Sequence, residues 1–465
     1  MGSDPIEWTH CSPADEAIVF GTLRAGDVDE CVRRAKNAFP AWAARSFEQR
    51  WECLCACREA LENGREALAQ LITQETGKPI FEARLEMGAV IAKFDFTHAD
   101  GVRYILEEAI TDGPHAAQTR WRARGTAAVI APFNFPIHLG HGATIAHLLA
   151  GNTVVFKPSP LASHVGLAYA EMMQANLPGD VFQSVLGWGE VGRALCLHAD
   201  VRSVCFTGSI PVGRSLAQAL APDYSKSLAL ELGGKNSLIV CEDADIPLAA
   251  RATADGLCLT AGQRCNATAR VLVHARVEAG FLRELEHELA RYTPGNPSLE
   301  TTALGPLISS ASRVRYQELL ATTPGEPIFA GSEVARLATG EAGFYVTPAV
   351  LRAGDVAALD ASAFALRESF VPILVVETFD RHDEAVARHE AWDFGLSASI
   401  FTASDENFHR LGDRLHVGNL YKNLPTTFSP STLPFGGWGR SGNGHPGSRG
   451  FIRFCCEEQA VQRRS

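Results

Sequence analysis

The sequence predicts an α/β fold of two doubly wound domains, and three observations carry that expectation. Short apolar runs of strand length alternate with helical stretches: Ala127-Ala128-Val129-Ile130, Thr153-Val154-Val155-Phe156, Val181 to Leu186 and Val204 to Phe206. After Gly234 the alternation begins again, at Ser237-Leu238-Ile239-Val240, Val271-Leu272-Val273 and Ile373-Leu374-Val375-Val376. The first two runs break at Pro132 and at Lys157-Pro158, so strand gives way to turn and then to helix, the order of a mostly parallel sheet.

Ahead of these strands, residues 27–113 read as helical. Val32, Ala35, Ala38, Leu54, Leu61, Leu68 and Leu71 recur there at helical spacing among charges. No fixed-period repeat, low-complexity tract or long Pro/Ser linker interrupts the chain, so the two domains are expected to pack closely.

A chain of 465 residues supports two or three folding units without disulfide or metal staples. A net charge of −11 disfavours nucleic acid or an anionic membrane as the main partner, but leaves room for a small anion met by a local Arg or Lys. Residues 1–8 lack the basic flank and apolar core of a signal peptide. No apolar run reaches the roughly 18–20 residues that cross a bilayer. Twelve irregularly spaced cysteines in a chain this long point to a reducing cytoplasm rather than a secreted disulfide scaffold. Cys53, Cys55 and Cys57 alternate within a helical pattern that puts Cys55 on a different face from the other two. They are read as core filler, like Cys455-Cys456, and no metal site is expected.

Gly187-Trp188-Gly189-Glu190-Val191-Gly192 has the letters of a dinucleotide fingerprint but lacks an acidic residue about 20 positions on, so a plain turn explains it as well. Phe206-Thr207-Gly208-Ser209, with Gly213 beyond, is better placed. A strand ends, the chain turns on glycine, and a helix starts with free N–H groups and a hydroxyl facing any phosphate. In Gly262-Gln263-Arg264-Cys265, cysteine is most simply a buried apolar residue. Its polar, glycine-bearing neighbours instead suggest a turn near solvent, where Arg264 would favour the thiolate that attacks carbonyls. Glu231 follows Leu228-Ala229-Leu230 and precedes Leu232-Gly233-Gly234. A carboxylate held there is either a solvated cap or a base tuned by apolar surroundings.

Taken together these segments resemble the aldehyde dehydrogenases over nearly the whole chain. Pro132-Phe133-Asn134-Phe135-Pro136 resembles P-W-N-F-P, Lys157-Pro158-Ser159 resembles K-P-S, and Phe206 to Ser209 matches F-T-G-S. Glu231 to Asn236 matches E-L-G-G-K-N, and Gly262 to Cys265 matches G-Q-x-C. Glu368-Ser369-Phe370-Val371-Pro372 resembles E-x-F-G-P, and Pro434 to Gly437 matches P-F-G-G. The resemblance implies that Cys265 attacks an aldehyde and passes through a thiohemiacetal to a thioester, which water activated by Glu231 hydrolyses to the carboxylate. It implies an oxyanion site made by the Asn134 amide and the Cys265 N–H. It places the cofactor, NAD, on Lys157, Ser159, Gly208, Ser209, Gly213, Glu368 and Phe370.

The same resemblance implies a small β element for oligomerisation, formed by residues 104–124 and 441–465. That leaves residues 1–103 and 125–234 for the cofactor-binding domain and 235–440 for the catalytic domain, in a homodimer or homotetramer. One departure bears on the cofactor. Pro160 stands where the family has a glutamate that binds the adenosine ribose, and losing that carboxylate makes NADP acceptable. A narrower resemblance, carried by His138, Glu75-Thr76-Gly77-Lys78-Pro79 and residues 431–443, is to the subfamily acting on N-succinylglutamate 5-semialdehyde in arginine catabolism. It implies a carboxylate-bearing aldehyde, with Arg264 or His138 to neutralise a carboxylate. Other semialdehydes such as succinate semialdehyde, a CoA-acylating variant, a nucleotide-free cysteine hydrolase and an inactive relative are the alternatives.

Overall fold

The computed structural model of the chain describes residues 6–106, 108–112 and 115–464. Its centre is a pair of largely parallel sheets. The first has six strands, in the order Gly442–Asn443, Ser227–Leu232, Val201–Gly208, Thr126–Ile130, Thr153–Lys157 and Phe182–Ser184, all parallel except the short Gly442–Asn443 edge. Thr126–Ile130 comes first in sequence among the parallel strands yet lies inside the sheet. The chain winds outward from it to one side and then to the other. A crevice is left beyond the carboxyl ends of Thr126–Ile130 and Val201–Gly208, the position where open α/β sheets bind ligands.

The second sheet has seven strands, ordered Glu326–Phe329, Ala349–Arg352, Ile373–Phe379, Thr268–His274, Asn236–Val240, Ser397–Phe401 and Asn419–Lys422; only Glu326–Phe329 is antiparallel. Thr268–His274, Asn236–Val240 and Ser397–Phe401 are buried at every residue, as strands covered on both faces must be, and hence carry apolar runs rather than alternation. The α/β architecture and the restart after Gly234 are therefore as the sequence indicates.

The long helical reading needs one correction. Residues 27–104 form four helices, Val28–Ala43, Phe47–Asn63, Arg65–Thr76 and Ile80–Tyr104, but the chain then turns into the strand Glu108–Asp112. That strand pairs with His115–Ala123, which pairs in turn with Cys456–Arg464 in an antiparallel ribbon of three. Of the cysteine trio only Cys57 is in the core; Cys53 is half-buried and Cys55 exposed, because a helix carrying one apolar stripe cannot bury residues two apart. The G-x-G-x-x-G letters, residues 187–192, begin three residues after the strand Phe182–Ser184 and run from a turn into the helix Gly189–Leu197.

A buried ion pair ties the second sheet to its covering helix. Arg270, on the strand Thr268–His274, donates to Glu377 Oε1 at 2.5 Å and to the Arg388 carbonyl at 2.6 Å, and its guanidinium stacks on Trp392. Arg388, on the helix His382–Glu390, donates to the other Glu377 oxygen at 2.8 Å. Removing one partner of such a network leaves charge buried without compensation. Glu377→Ala is therefore expected to destabilise the fold by about 3–5 kcal/mol, read as a lowered urea midpoint.

Candidate active site

Two chambers meet at one cysteine. The first, of about 350 Å³, opens at the crevice of the six-stranded sheet. Its walls include Asn134, Lys157, Ser159, Gly208, Ser209, Glu231, Glu368 and Phe370 as well as Cys265. The second, of about 290 Å³, lies between the helix Ile80–Tyr104 and the loop 427–435. His138 and Arg264 line it, and Leu139 and Cys265 belong to both chambers.

The turn that presents Cys265 is strained. After the helix Ile246–Cys258, Thr260 and Ala261 adopt φ of 54° and 53°, and Gly262 follows at 72°. A non-glycine residue in this region costs on the order of 1–3 kcal/mol and persists only where its surroundings fix it. Glu82 supplies that fixing: its carboxylate accepts from Thr260 N–H at 2.9 Å and Thr260 Oγ1 at 2.7 Å, and pairs with Arg264 at 2.6 Å. Glycine is required at 262 for a second reason, since a Cβ there would lie 2.7 Å from the Val371 carbonyl carbon.

Glu231 is the penultimate residue of the strand Ser227–Leu232, buried, and its Oε1 lacks a hydrogen-bond partner among the described residues. Burial pushes its carboxyl up to about 7. The Cys265 thiol is raised well above its ordinary range by burial, then by the charges of Glu231 and Glu368. This corrects the expectation that Arg264 favours the thiolate, because the guanidinium is neutralised by Glu82 and faces the second chamber. Asn134, in the turn after Thr126–Ile130, donates to the Gln263 carbonyl at 2.8 Å. One amide hydrogen remains, and among the described residues the Cys265 N–H has no acceptor.

The first chamber fits a dinucleotide, as unpartnered polar atoms line it. Ser209 caps the helix Ile210–Leu220, but its side chain makes no capping bond, so hydroxyl and first-turn N–H groups face outward. Lys157 is buried and, among the described residues, its ammonium has the Pro158 carbonyl as its one partner, at 3.2 Å; burial pulls that ammonium down to about 8. Glu368 Oε1 is buried without a partner among the described residues, and burial pushes that carboxyl up to about 8. Phe370, at φ 54°, meets Phe133 edge-on. Ser159 caps the following 3₁₀ turn through Leu161 N–H and lines the wall beside Pro160. Gly213 does not line the chamber. It lies where a Cβ would meet Leu232 Cδ2 at 2.6 Å, so it lets the helix pack closely on the strand.

Arg264 and His138 reach the second chamber, but neither presents a free cation. Arg264 is paired with Glu82, and His138 is held neutral by burial and then by Lys93, His141 and Lys78. Ser312 and Arg315, on the helix Ser310–Thr322, also line the first chamber, and Glu82, Glu86 and Lys93 line the second. None of these five stood out in the sequence. Charges on amphipathic helices normally face water, and only their shared face at positions 82, 86 and 93 hinted otherwise.

The model of the aldehyde dehydrogenase family matches residues 3–461. The chain belongs to the aldehyde dehydrogenase family. It is 38% identical over 439 residues to an N-succinylglutamate 5-semialdehyde dehydrogenase of Klebsiella pneumoniae subsp. pneumoniae, covering 93% of this chain and 87% of that one. It is 32% identical to 4-trimethylaminobutyraldehyde dehydrogenase B of Danio rerio, covering 95% and 85%. Among solved structures it resembles the 1-pyrroline-5-carboxylate dehydrogenase from Thermus with bound NAD, at a TM-score of 0.92 and 26% identity over 99% and 90% of the two chains. This aldehyde dehydrogenase is thus an oxidoreductase acting on aldehydes, of a family that uses NAD or NADP. Among the described residues, no helix is long and apolar enough to cross a membrane.

Gly233 sets the place of Glu368 in this dehydrogenase, since a Cβ at 233 would collide with the Glu368 carboxyl group. Gly233→Ala is expected to lower the turnover of aldehyde with nucleotide by about 100-fold, the usual cost of an ångström-scale misplacement. Steady-state rates beside an unchanged melting temperature would show it.

Proposed function

We propose that this enzyme oxidises a carboxylate-bearing semialdehyde, N-succinylglutamate 5-semialdehyde in the first instance, to the carboxylate through a thioester on Cys265. The observation that carries the reading is the position of Cys265 in the wall shared by the crevice of the six-stranded sheet and a second chamber, next to the buried carboxyl of Glu231. The Cys265 thiol gives its proton to Glu231, and Sγ adds to the aldehyde carbon. The oxyanion is received by the free Asn134 amide hydrogen and the Cys265 N–H. Nicotinamide, when bound, supplies the hydride acceptor that takes the aldehyde hydrogen with its electron pair. The carbonyl re-forms as a thioester while Glu231 loses its proton to solvent. Glu231 then takes a proton from water, whose oxygen attacks the thioester carbon; the C–S bond breaks and the carboxylate leaves.

Lys157 and Ser159 would hold the adenosine ribose, Gly208 and Ser209 the pyrophosphate, and Glu368 with Phe370 the nicotinamide end. Arg315 and Ser312 lie in the same walls. The ribbon of residues 108–112, 115–123 and 456–464 is assigned to pairing between subunits in a dimer or tetramer. Residues 1–103 with 125–234 and residues 235–440 form the cofactor and catalytic units.

Absorbance at 340 nm with NAD or NADP and a panel of N-succinylglutamate 5-semialdehyde, succinate semialdehyde and simple alkanals tests the reading. Reduction by the wild-type enzyme, best with the first aldehyde and abolished in Cys265→Ala, is the expected result. A folded enzyme that reduces nucleotide with alkanals alone would sink the substrate assignment.

Because the Glu231 carboxyl lies near 7, it is protonated below that pH and unable to accept a proton. The turnover rate is expected to rise with pH through about 7, and Glu231→Gln to slow both the first round of nucleotide reduction, which needs the Cys265 proton removed, and the turnover that follows it. For the cofactor, Pro160→Glu adds a carboxylate to the chamber wall near Ser159. It is expected to raise KM for NADP about 10-fold more than KM for NAD, by repulsion of the 2′-phosphate.

A further inference from the structure

The second chamber holds more positive than negative charge. Lys78, Lys93 and Arg264 lie at or beside its wall, with Glu82 and Glu86 as the facing carboxylates. Both carboxylates are already engaged. Glu82 binds Arg264 and Thr260, while Glu86 pairs with Lys78 at 2.5 Å and accepts from the Ile137 and His138 N–H groups at 3.1 Å each. Lys78 and Arg264 are further occupied by the Phe135 ring, which lies 4.0 Å from the Lys78 ammonium. Lys93 is the cation left over. Its side chain is buried, and its Nζ donates to the Gly447 carbonyl at 2.7 Å in the chamber wall. Among the described residues, no carboxylate oxygen lies within 4.0 Å of it.

Asp100 is the nearest acidic influence, yet it is committed elsewhere, accepting from Gly450 N–H at 2.5 Å with Arg449 at 4.0 Å. A buried ammonium without a counter-ion is costly unless a ligand supplies one. The cost is visible, since burial pulls the Lys93 ammonium down to about 8.

We infer that Lys93 is the receptor for a carboxylate of the substrate, a specificity-determining contact that holds the tail of the aldehyde while its carbonyl reaches Cys265. Resting on the carboxylate-semialdehyde reading above, it replaces Arg264 and His138 as the charge that reads the substrate. Ser429 and Ser431 line the same chamber and offer hydroxyl donors to the second carboxylate oxygen.

The test compares succinate semialdehyde with pentanal, an uncharged aldehyde of similar reach, in wild-type enzyme, Lys93→Met and Lys93→Arg. The wild type is expected to prefer the carboxylate substrate in kcat/KM. Lys93→Met should lower that preference by roughly 10- to 100-fold, mainly through KM, as loss of a buried charge-assisted contact does. Lys93→Arg should restore part of it. A preference unchanged in Lys93→Met would overturn the assignment of Lys93 alone, as would equal losses on both aldehydes. A wild type that shows no preference would overturn the substrate reading on which it rests. Should Lys93→Met fail to fold, inhibition of wild-type pentanal oxidation decides: glutarate should compete with pentanal and neutral glutaramide should not. Equal inhibition by the two, or none, would count against a carboxylate receptor.

Discussion

The carboxylate of Glu82 is the contact on which the active site depends. It reaches from the long helix Ile80–Tyr104 to a turn almost 180 residues further along the chain and binds that turn at Thr260 N–H, Thr260 Oγ1 and Arg264. Two successive non-glycine residues there occupy left-handed backbone. The turn would relax without such a grip, and Cys265 would leave the wall between the chambers. The buried Lys78–Glu86 pair one turn along extends the arrangement to the first N–H groups of the helix His138–Leu149. A single helix thus fixes both the Cys265 loop and the segment that follows Asn134.

Electrostatics divide the labour between the chambers. On the crevice side two buried carboxyls, Glu231 and Glu368, are raised toward neutrality and hold the thiol in its protonated form. In an environment of this kind, any positive charge placed nearby favours both carboxylates and the thiolate. On the other side the balance is reversed, with one cation in excess. In a chain of net charge −11, that local excess gives the chamber a charge opposite to that of the chain as a whole, which is what the proposed anionic substrate requires.

Glycine does much of the positioning through what it omits. Gly233 makes room for Glu368, Gly234 for the Cys265 carbonyl, Gly262 for Val371 and Gly213 for Leu232. Three of these lie in motifs recognisable by their letters, and the physical content of those motifs is close approach of backbone to backbone or to side chain.

Sequence alone determined the architecture and marked the residues that line the crevice. Apolar runs of strand length are forced by burial on both faces of a parallel sheet, and strand ends carrying Pro or Gly place Asn134, Glu231 and the Gly208-Ser209 turn at the crevice. These signals are local, so they survive without tertiary information. The end of the helical stretch was misread because Glu108–Asp112 is a strand only by virtue of pairing with His115–Ala123. What the tertiary structure decided was the state of the charges. Arg264 beside Cys265 in sequence reads as an activator of the thiol, yet its partner is Glu82 and its head faces away. His138 reads as a cation, yet it is half-buried beside Lys93 and Lys78 and held neutral. Glu82, Glu86 and Lys93 read as the wet face of a helix and are buried instead. Burial and pairing depend on segments far apart in the chain, and a charge has no fixed meaning until its neighbours are known.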